Sequence, residues 1–107
     1  MVEQQVERTP TPHILLMTRA ACHLCDEAAA VVAEAAGAAA VSWSGHDVDA
    51  DPELRAEFGD RVPVVLVVPR PPEDGSADAL LDGATEVGHF RITRAAVSGA
   101  IDRARGR

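Results

Sequence analysis

Apolar residues along this chain fall first into a short continuous run and then into a pattern with helical spacing. Residues 13–18 (HILLMT) form the continuous run, which is typical of a strand buried on both faces. The Ala-rich segment that begins at His23 predicts a helix of about three to four turns that ends at Gly37. The buried face of this helix is predicted from apolar residues that recur every three or four positions, namely Leu24, Ala28, Val31, Val32 and Ala35.

The next part of the chain predicts two strands with a short helix between them. Residues 40–48 predict a second strand, and its apolar alternation breaks at Gly45, which indicates a β-bulge. Residues 51–53 (DPE) place an Asp at the N-cap, a Pro at the first helical position and an acid in the first turn. We therefore predict a short helix that ends at Gly59. The apolar run at residues 62–68 predicts the third strand, with a proline near its start.

The last third of the chain predicts a loop, a hairpin strand and a final helix. Prolines, a glycine and polar residues indicate a long loop at residues 69–81. Residues 86–90 (EVGHF) predict a strand in a hairpin with the third one, and Thr93 is placed to cap the helix after it. The order β-α-β-α-β-β-α predicts an α/β domain with a four-stranded mixed sheet flanked by helices. We assign residues 1–12 to a flexible leader and residues 13–104 to the domain.

Composition and charge exclude several classes of function. The formal net charge of −7 repels phosphate backbones, and 3% aromatic residues offer little stacking surface, so we expect no nucleic-acid partner. No run of about 20 apolar residues is present, so we expect no membrane partner either. The first eight residues are polar and acidic, unlike a secretory signal, and we therefore expect a cytoplasmic protein. We also expect it to be a monomer. Cysteines in that compartment are kept reduced and are more often reactive than structural.

Cys22 and Cys25 lie at the junction between the first predicted strand and the helix after it. A helix N-terminus offers unpaired N–H groups and a partial positive charge, both of which favour a thiolate. A second thiol three residues later is one turn away, close enough to close a disulfide. We therefore predict that Cys22 is the attacking sulfur and Cys25 its resolving partner. An inert pair or a metal site is the alternative, but structural zinc takes four ligands and the remaining histidines have no recognisable spacing.

Charged neighbours of the cysteine pair act in opposite directions on its acidity. Arg19 and a protonated His23 would lower the pKa of Cys22, whereas Asp26 and Glu27 would raise it; we expect a net lowering. His23 is either a residue that tunes the thiolate or an exposed turn residue. The arginines that are candidates to hold a carboxylate of a thiol substrate are Arg19, Arg91 and Arg94.

Residues 18–27, 47–54 and 61–65 together resemble the glutaredoxin-like proteins of the thioredoxin superfamily, in particular a bacterial branch with a Cys-His-Leu-Cys site. The resemblance implies a thioredoxin-like fold and a thiol–disulfide oxidoreductase. The loop predicted at residues 69–81 is an insertion that departs from the family. It also implies that Pro63 has a cis peptide bond and faces the disulfide, where it keeps metals away. The backbone of Val62 is then expected to pair with the bound peptide or thiol.

The chain departs from related families at positions that bear on its substrate. Thioredoxins carry an aromatic before the first Cys and Gly-Pro inside the motif, where this chain has Ala21 and His23-Leu24. Glutaredoxins carry Gly-Gly followed by Asp before the last helix, where this chain has residues 87–93 (VGHFRIT). The expected partner is therefore a disulfide-containing protein or a small-thiol mixed disulfide. No bound cofactor is expected, with glutathione or an equivalent thiol as co-substrate. A non-catalytic binding module with this fold is the main alternative function, followed by a metal-binding protein.

Overall fold

A computed structural model gives the fold of the chain and describes residues 11–106. In chain order the elements are β1 (His13–Thr18), α1 (His23–Ala39), β2 (Ser42–Asp47), a 3-10 turn (Val48–Ala50), α2 (Pro52–Phe58), β3 (Val64–Val68), α3 (Ala77–Leu81), β4 (Thr85–His89) and α4 (Arg94–Ala104). The predicted order of helices and strands along the chain is confirmed, except that the structure adds the helix α3.

The strands form one mixed sheet in the order β2-β1-β3-β4 within the described residues. β1 is parallel to β2, while β3 is antiparallel to both of its neighbours, β1 and β4. One face packs on α1 and α4 through Ile14 and Leu16 of β1. The other face packs on α2, the 3-10 turn and α3 through Leu15 and Met17. The continuous apolar run of β1 is therefore explained by burial on both faces, and the predicted α/β architecture is confirmed.

The predicted end of α1 at Gly37 is wrong, because the helix continues through it to Ala39. Gly37 lies among alanines, which have the highest helix propensity, and one exposed glycine costs a helix only about 1 kcal/mol. The helix ends instead at Ala40, which has a left-handed φ of 58°. From there the N–H of Val41 donates to the Ala36 carbonyl at 3.0 Å and closes the last turn.

Two other sequence predictions are corrected by the structure. β2 has no bulge at Gly45, because it pairs with β1 without interruption from Ser42 to Asp47. The irregularity in the sheet lies instead between β3 and β4, after Val65. The segment predicted as a loop at residues 69–81 ends in α3, whose N-cap Ser76 accepts a hydrogen bond from the N–H of Ala79 at 3.2 Å.

The predicted leader, residues 1–12, lies mostly outside the described part of the chain. Its last residue, Pro12, is fully buried, and the predicted boundary between leader and domain stays a prediction. Among the described residues, no helix combines the length and apolar character needed to cross a membrane.

A polar network joins β1 to β2 at the start of the sheet. His13 is buried, with Nδ1 2.7 Å from Ser42 Oγ and Nε2 2.8 Å from Ser44 Oγ. The same Ser44 Oγ lies 2.8 Å from Nε2 of His46, which forms the end of the chain of hydrogen bonds. Burial lowers the pKa of both imidazoles, and His46 lowers that of His13 further. Both rings are therefore held in the neutral form near neutral pH.

We predict that the free energy of unfolding falls as the pH is lowered from about 7.5 to about 5.5. The imidazoles of His13 and His46 titrate below the ordinary value of 6.5 in the folded chain, so the unfolded chain binds protons more readily in this window. Urea unfolding at both pH values tests this. The variant His46→Gln should show a shallower dependence, because it lacks one of the two groups; an unfolding free energy that does not change with pH would contradict the prediction.

Candidate active site

Cys22 is the N-cap residue of α1 and follows a sharp turn after β1. The turn is made by Ala21, whose φ of 56° is left-handed. The N–H of Cys25 donates to the Cys22 sulfur at 3.1 Å, and the N–H of Asp26 donates to the Cys22 carbonyl at 3.2 Å. The sulfur thus takes the position in which Ser or Asp usually caps a helix, against N–H groups of the first turn. This position stabilises negative charge on sulfur.

The sulfurs of Cys22 and Cys25 are joined in a disulfide, with the two Cα atoms 5.2 Å apart. The two residues differ in accessibility. Cys25 is 3% exposed within the first turn of α1, whereas Cys22 is half-buried and accessible from outside. Cys22 is thus the more accessible of the two residues, and the roles of attacking and resolving sulfur stay predictions.

The peptide bond between Val62 and Pro63 is cis, as the resemblance implied. Pro63 is buried and directly precedes β3, whose first residue, Val64, pairs with Met17 of β1. β1 ends one residue later, at Thr18, and leads to the cysteine turn. The disulfide follows β1 and the cis proline precedes the neighbouring strand β3, so both lie at the same edge of the sheet.

Arg61, just before the cis bond, makes contacts that the sequence did not predict. Its guanidinium donates to the Glu86 carboxylate of β4 at 3.0 and 3.4 Å and to the Glu57 carbonyl at 2.8 Å. The guanidinium carbon also lies 5.3 Å from the centre of the Phe58 ring. The hydrogen bond from Arg61 is the main cause that lowers the pKa of Glu86. These contacts fix the segment that leads into Pro63 against α2 and β4.

Arg19 lies in the loop that leads from β1 to Cys22, and its guanidinium contacts two other segments. It donates to both carboxylate oxygens of Asp49 at 3.1 Å and to the Gly59 carbonyl, also at 3.1 Å. The hydrogen bond from Arg19 is the main cause that lowers the pKa of Asp49. The structure thus gives Arg19 a bidentate ion pair that joins the cysteine loop to the 3-10 turn and the end of α2. Contact with a substrate stays a prediction for this residue.

The other charged candidates are His23, Arg91 and Arg94. The His23 side chain is 86% exposed on the first turn of α1, and its Nε2 lies 3.1 Å from a carboxylate oxygen of Glu27. Arg94 lies 3.6 Å from the Glu34 carboxylate, and Arg91 is exposed after β4. Nowhere in residues 11–106 do three or more His, Cys, Asp or Glu side chains form a cluster that could hold a metal ion.

Comparison with known proteins shows which family and which solved structures this chain resembles. A family model described as Glutaredoxin-like domain (DUF836) matches residues 13–95. The chain belongs to this family. Among curated relatives, this glutaredoxin-like chain is 43% identical over 61 residues to uncharacterised proteins of Mycobacterium tuberculosis and Mycobacterium bovis. That match covers 52% of this chain and 63% of each mycobacterial protein.

Solved structures similar to this glutaredoxin-like chain have the thioredoxin fold. Chloroplastic thioredoxin z superposes with a TM-score of 0.64 at 14% identity, over 92% of this chain and 81% of that one. Protein Ne2328 of Nitrosomonas europaea gives 0.63 at 21% identity, over 92% and 98%. Thioredoxin 1 of Thermosipho africanus gives 0.53 at 17% identity, over 85% and 91%. At these identities the likeness establishes the thioredoxin-like fold alone.

We predict that Arg19→Ala lowers the melting temperature more than the matched variant Arg55→Ala. Arg19 makes two hydrogen bonds to Asp49 and one to Gly59, whereas Arg55 only approaches Asp49, at 3.8 Å. Thermal unfolding followed by circular dichroism measures both effects. The difference should shrink in about 1 M salt, which screens exposed ion pairs. Equal melting temperatures for the two variants at low salt would show that the Arg19 contacts do not stabilise the fold.

Proposed function

We propose that this chain is a thiol–disulfide oxidoreductase that reduces protein disulfides or mixed disulfides through Cys22 and Cys25. One observation carries the proposal: a half-buried cysteine at a helix N-cap is disulfide-bonded to a buried one, and a cis proline lies at the same edge of the sheet. The structure represents the oxidised form of the pair. The family membership supports the proposal, because it places these features in a glutaredoxin-like domain.

The reaction begins from the reduced pair. The Cys22 thiolate attacks one sulfur of the substrate disulfide, so that a Cys22–substrate bond forms, the substrate S–S bond breaks, and a thiolate leaves with the electron pair and takes a proton from water. The Cys25 thiol then loses its proton and attacks the Cys22 sulfur. This step forms the Cys22–Cys25 bond and releases the second substrate thiolate. In total the substrate gains two electrons and two protons; the protein supplies both electrons and the proton of the Cys25 thiol, and water supplies the second proton.

Return to the reduced form needs two equivalents of a thiol, which become a disulfide. We propose glutathione or an equivalent low-molecular-weight thiol as this co-substrate, with no permanently bound cofactor. The proposed setting is a monomer in the cytoplasm, where such thiols are abundant. The Val62 backbone beside Pro63 is proposed to pair with the bound substrate, with His23 and Arg19 at the border of the site.

The contacts around Cys22 favour the helix N-terminus as the main cause of a lowered pKa of its thiol. Arg19 is already paired with Asp49, and His23 with Glu27, so these side chains are engaged with carboxylates. The N–H of Cys25, in contrast, points directly at the Cys22 sulfur from 3.1 Å. Hydrogen bonding to the charged form of a group lowers its pKa. We therefore attribute a thiolate at neutral pH to backbone N–H groups.

We predict that Cys22 of the Cys25→Ser variant is alkylated with an apparent pKa clearly below about 7.5, compared with about 8.5 for a free cysteine. The physical reason is the hydrogen bond to its sulfur at the helix N-cap. The measurement is the rate of iodoacetamide labelling of Cys22 against pH, followed by mass spectrometry. The matched reference is a short unstructured peptide that spans residues 19–28 and carries the same Cys25→Ser substitution. An apparent pKa equal to that of the peptide would favour a non-catalytic binding module.

The two cysteines should be required for different classes of substrate. We predict that Cys22→Ser abolishes turnover of every disulfide, because it removes the attacking sulfur. Cys25→Ser should retain turnover of small-thiol mixed disulfides, which a second thiol molecule can resolve, and lose turnover of protein disulfides. Reduction of insulin and of a glutathionylated peptide, each coupled to thiol consumption, measures both activities. Full activity of both variants on both substrates would refute the mechanism.

A further inference from the structure

Phe90 is a large apolar side chain in a position that its own chemistry does not favour. It directly follows β4, where its φ of 61° is left-handed, and its side chain is 47% exposed. Bulky residues seldom adopt this conformation, whereas Gly and Asn adopt it readily. About half of the surface of this residue stays in water and contributes no hydrophobic free energy to folding. Neither backbone preference nor core packing accounts for a phenylalanine here.

Phe90 lies beside Val62 and Pro63, the residues predicted to contact the substrate. Its N–H donates to the carbonyl of Pro63 at 2.9 Å, and the residue before it, His89, pairs with Val64 in the sheet. The strands β1, β3 and β4 lie side by side in that order, and Phe90 follows β4. Because neighbouring strands are about 4.8 Å apart, Phe90 is one strand spacing from the cis proline, which precedes β3, and two from the end of β1. An aromatic ring is thus exposed at the edge of the sheet that carries the disulfide.

The ring of Phe90 contacts the side chain of His89, which in turn contacts Glu86. It meets the His89 ring edge to face, with centroids 5.0 Å apart and planes at 74°. Nδ1 of His89 lies 3.2 Å from the Glu86 carboxylate, which Arg61 also contacts. Both the backbone and the side chain of Phe90 are therefore tied to the segment around the cis bond. A contact surface that is ordered before binding loses little conformational entropy when a partner arrives.

We propose that Phe90 determines substrate preference by contacting an apolar side chain next to the disulfide cysteine of a peptide or protein. The inference rests on the proposed function and deepens it. The exposed ring gains free energy when an apolar neighbour excludes water from it. Glutathione offers no such neighbour, because its cysteine lies between a γ-glutamyl group and a glycine carboxylate. The ring therefore favours protein disulfides over small-thiol mixed disulfides in the first step of attack.

The experiment measures that first step in the full chain with Cys25→Ser, which retains the mixed disulfide at Cys22. Three probes are used: oxidised glutathione and two disulfide-linked peptide dimers of equal length, with either Leu or Gly on both sides of the cysteine. Second-order rate constants come from acid quenching and mass spectrometry, each divided by the rate of the same probe with free cysteine. The variants are Phe90→Gly, which relieves the left-handed backbone, and Phe90→Ala, which does not.

We expect the parent to react about five- to tenfold faster with the Leu dimer than with the Gly dimer, consistent with the partial burial of one apolar side chain. Both Phe90 variants should reduce this ratio to below about twofold and leave the rates with the Gly dimer and glutathione disulfide nearly unchanged. The matched control is Trp43→Ala. This residue is another exposed aromatic (36%), but it pairs with Ile14 near the opposite end of β1, and its loss should leave the ratio unchanged.

The possible failures are distinguishable. An unchanged Leu-to-Gly ratio in both Phe90 variants would overturn the inference and leave the proposed function intact. An equal loss of rate with all three probes would also overturn it, because it would indicate a structural role for the ring. A parent that reacts no faster than free cysteine with every probe would overturn the proposed function and the inference with it.

Discussion

The pairing of β1 with β3 is the constraint on which the rest of the structure depends. The two strands run antiparallel with Met17 opposite Val64, and both are buried between two layers of helices. A shift of one residue in this register would turn every side chain of a strand towards the other layer. The core therefore specifies the register strongly. Because β1 leads to the cysteine turn and β3 follows Pro63, the same register brings the two parts of the candidate site together.

The local parts of this arrangement could be predicted from the sequence because their signals are local. A continuous apolar run predicts a buried strand, residues 51–53 predict a helix start, and Cys22 lies where a strand meets a helix. The predicted end of α1 at Gly37 failed because one glycine costs less than neighbouring alanines contribute. The short α3 was missed because prolines and a glycine precede it, although Ser76 is a normal N-cap residue.

The cis bond before Pro63 could be expected only from the resemblance, since about 5–6% of X-Pro bonds in folded proteins are cis. The contacts that hold the site were beyond prediction for a different reason. Arg19 pairs with Asp49, 30 residues away, and Arg61 pairs with Glu86, 25 residues away. Such pairs depend on the tertiary arrangement, and nothing in the local pattern distinguishes these arginines from solvated ones. The sequence predicted Phe90 as part of a strand because the pattern of apolar residues does not indicate a left-handed backbone conformation.

These contacts separate the cysteine pair of the candidate site from the recognition surface that we propose at Phe90. Arg19 and Arg61 are each bound to a carboxylate, so they hold loops in place and add little positive charge near the sulfur. Stabilisation of a Cys22 thiolate then falls to the backbone N–H groups of α1, whose position is fixed by the buried face of that helix. Substitutions that change the surface around Phe90 leave those N–H groups where they are. In the proposed mechanism, the preferred disulfide can therefore change without a change in the acidity of the Cys22 thiol.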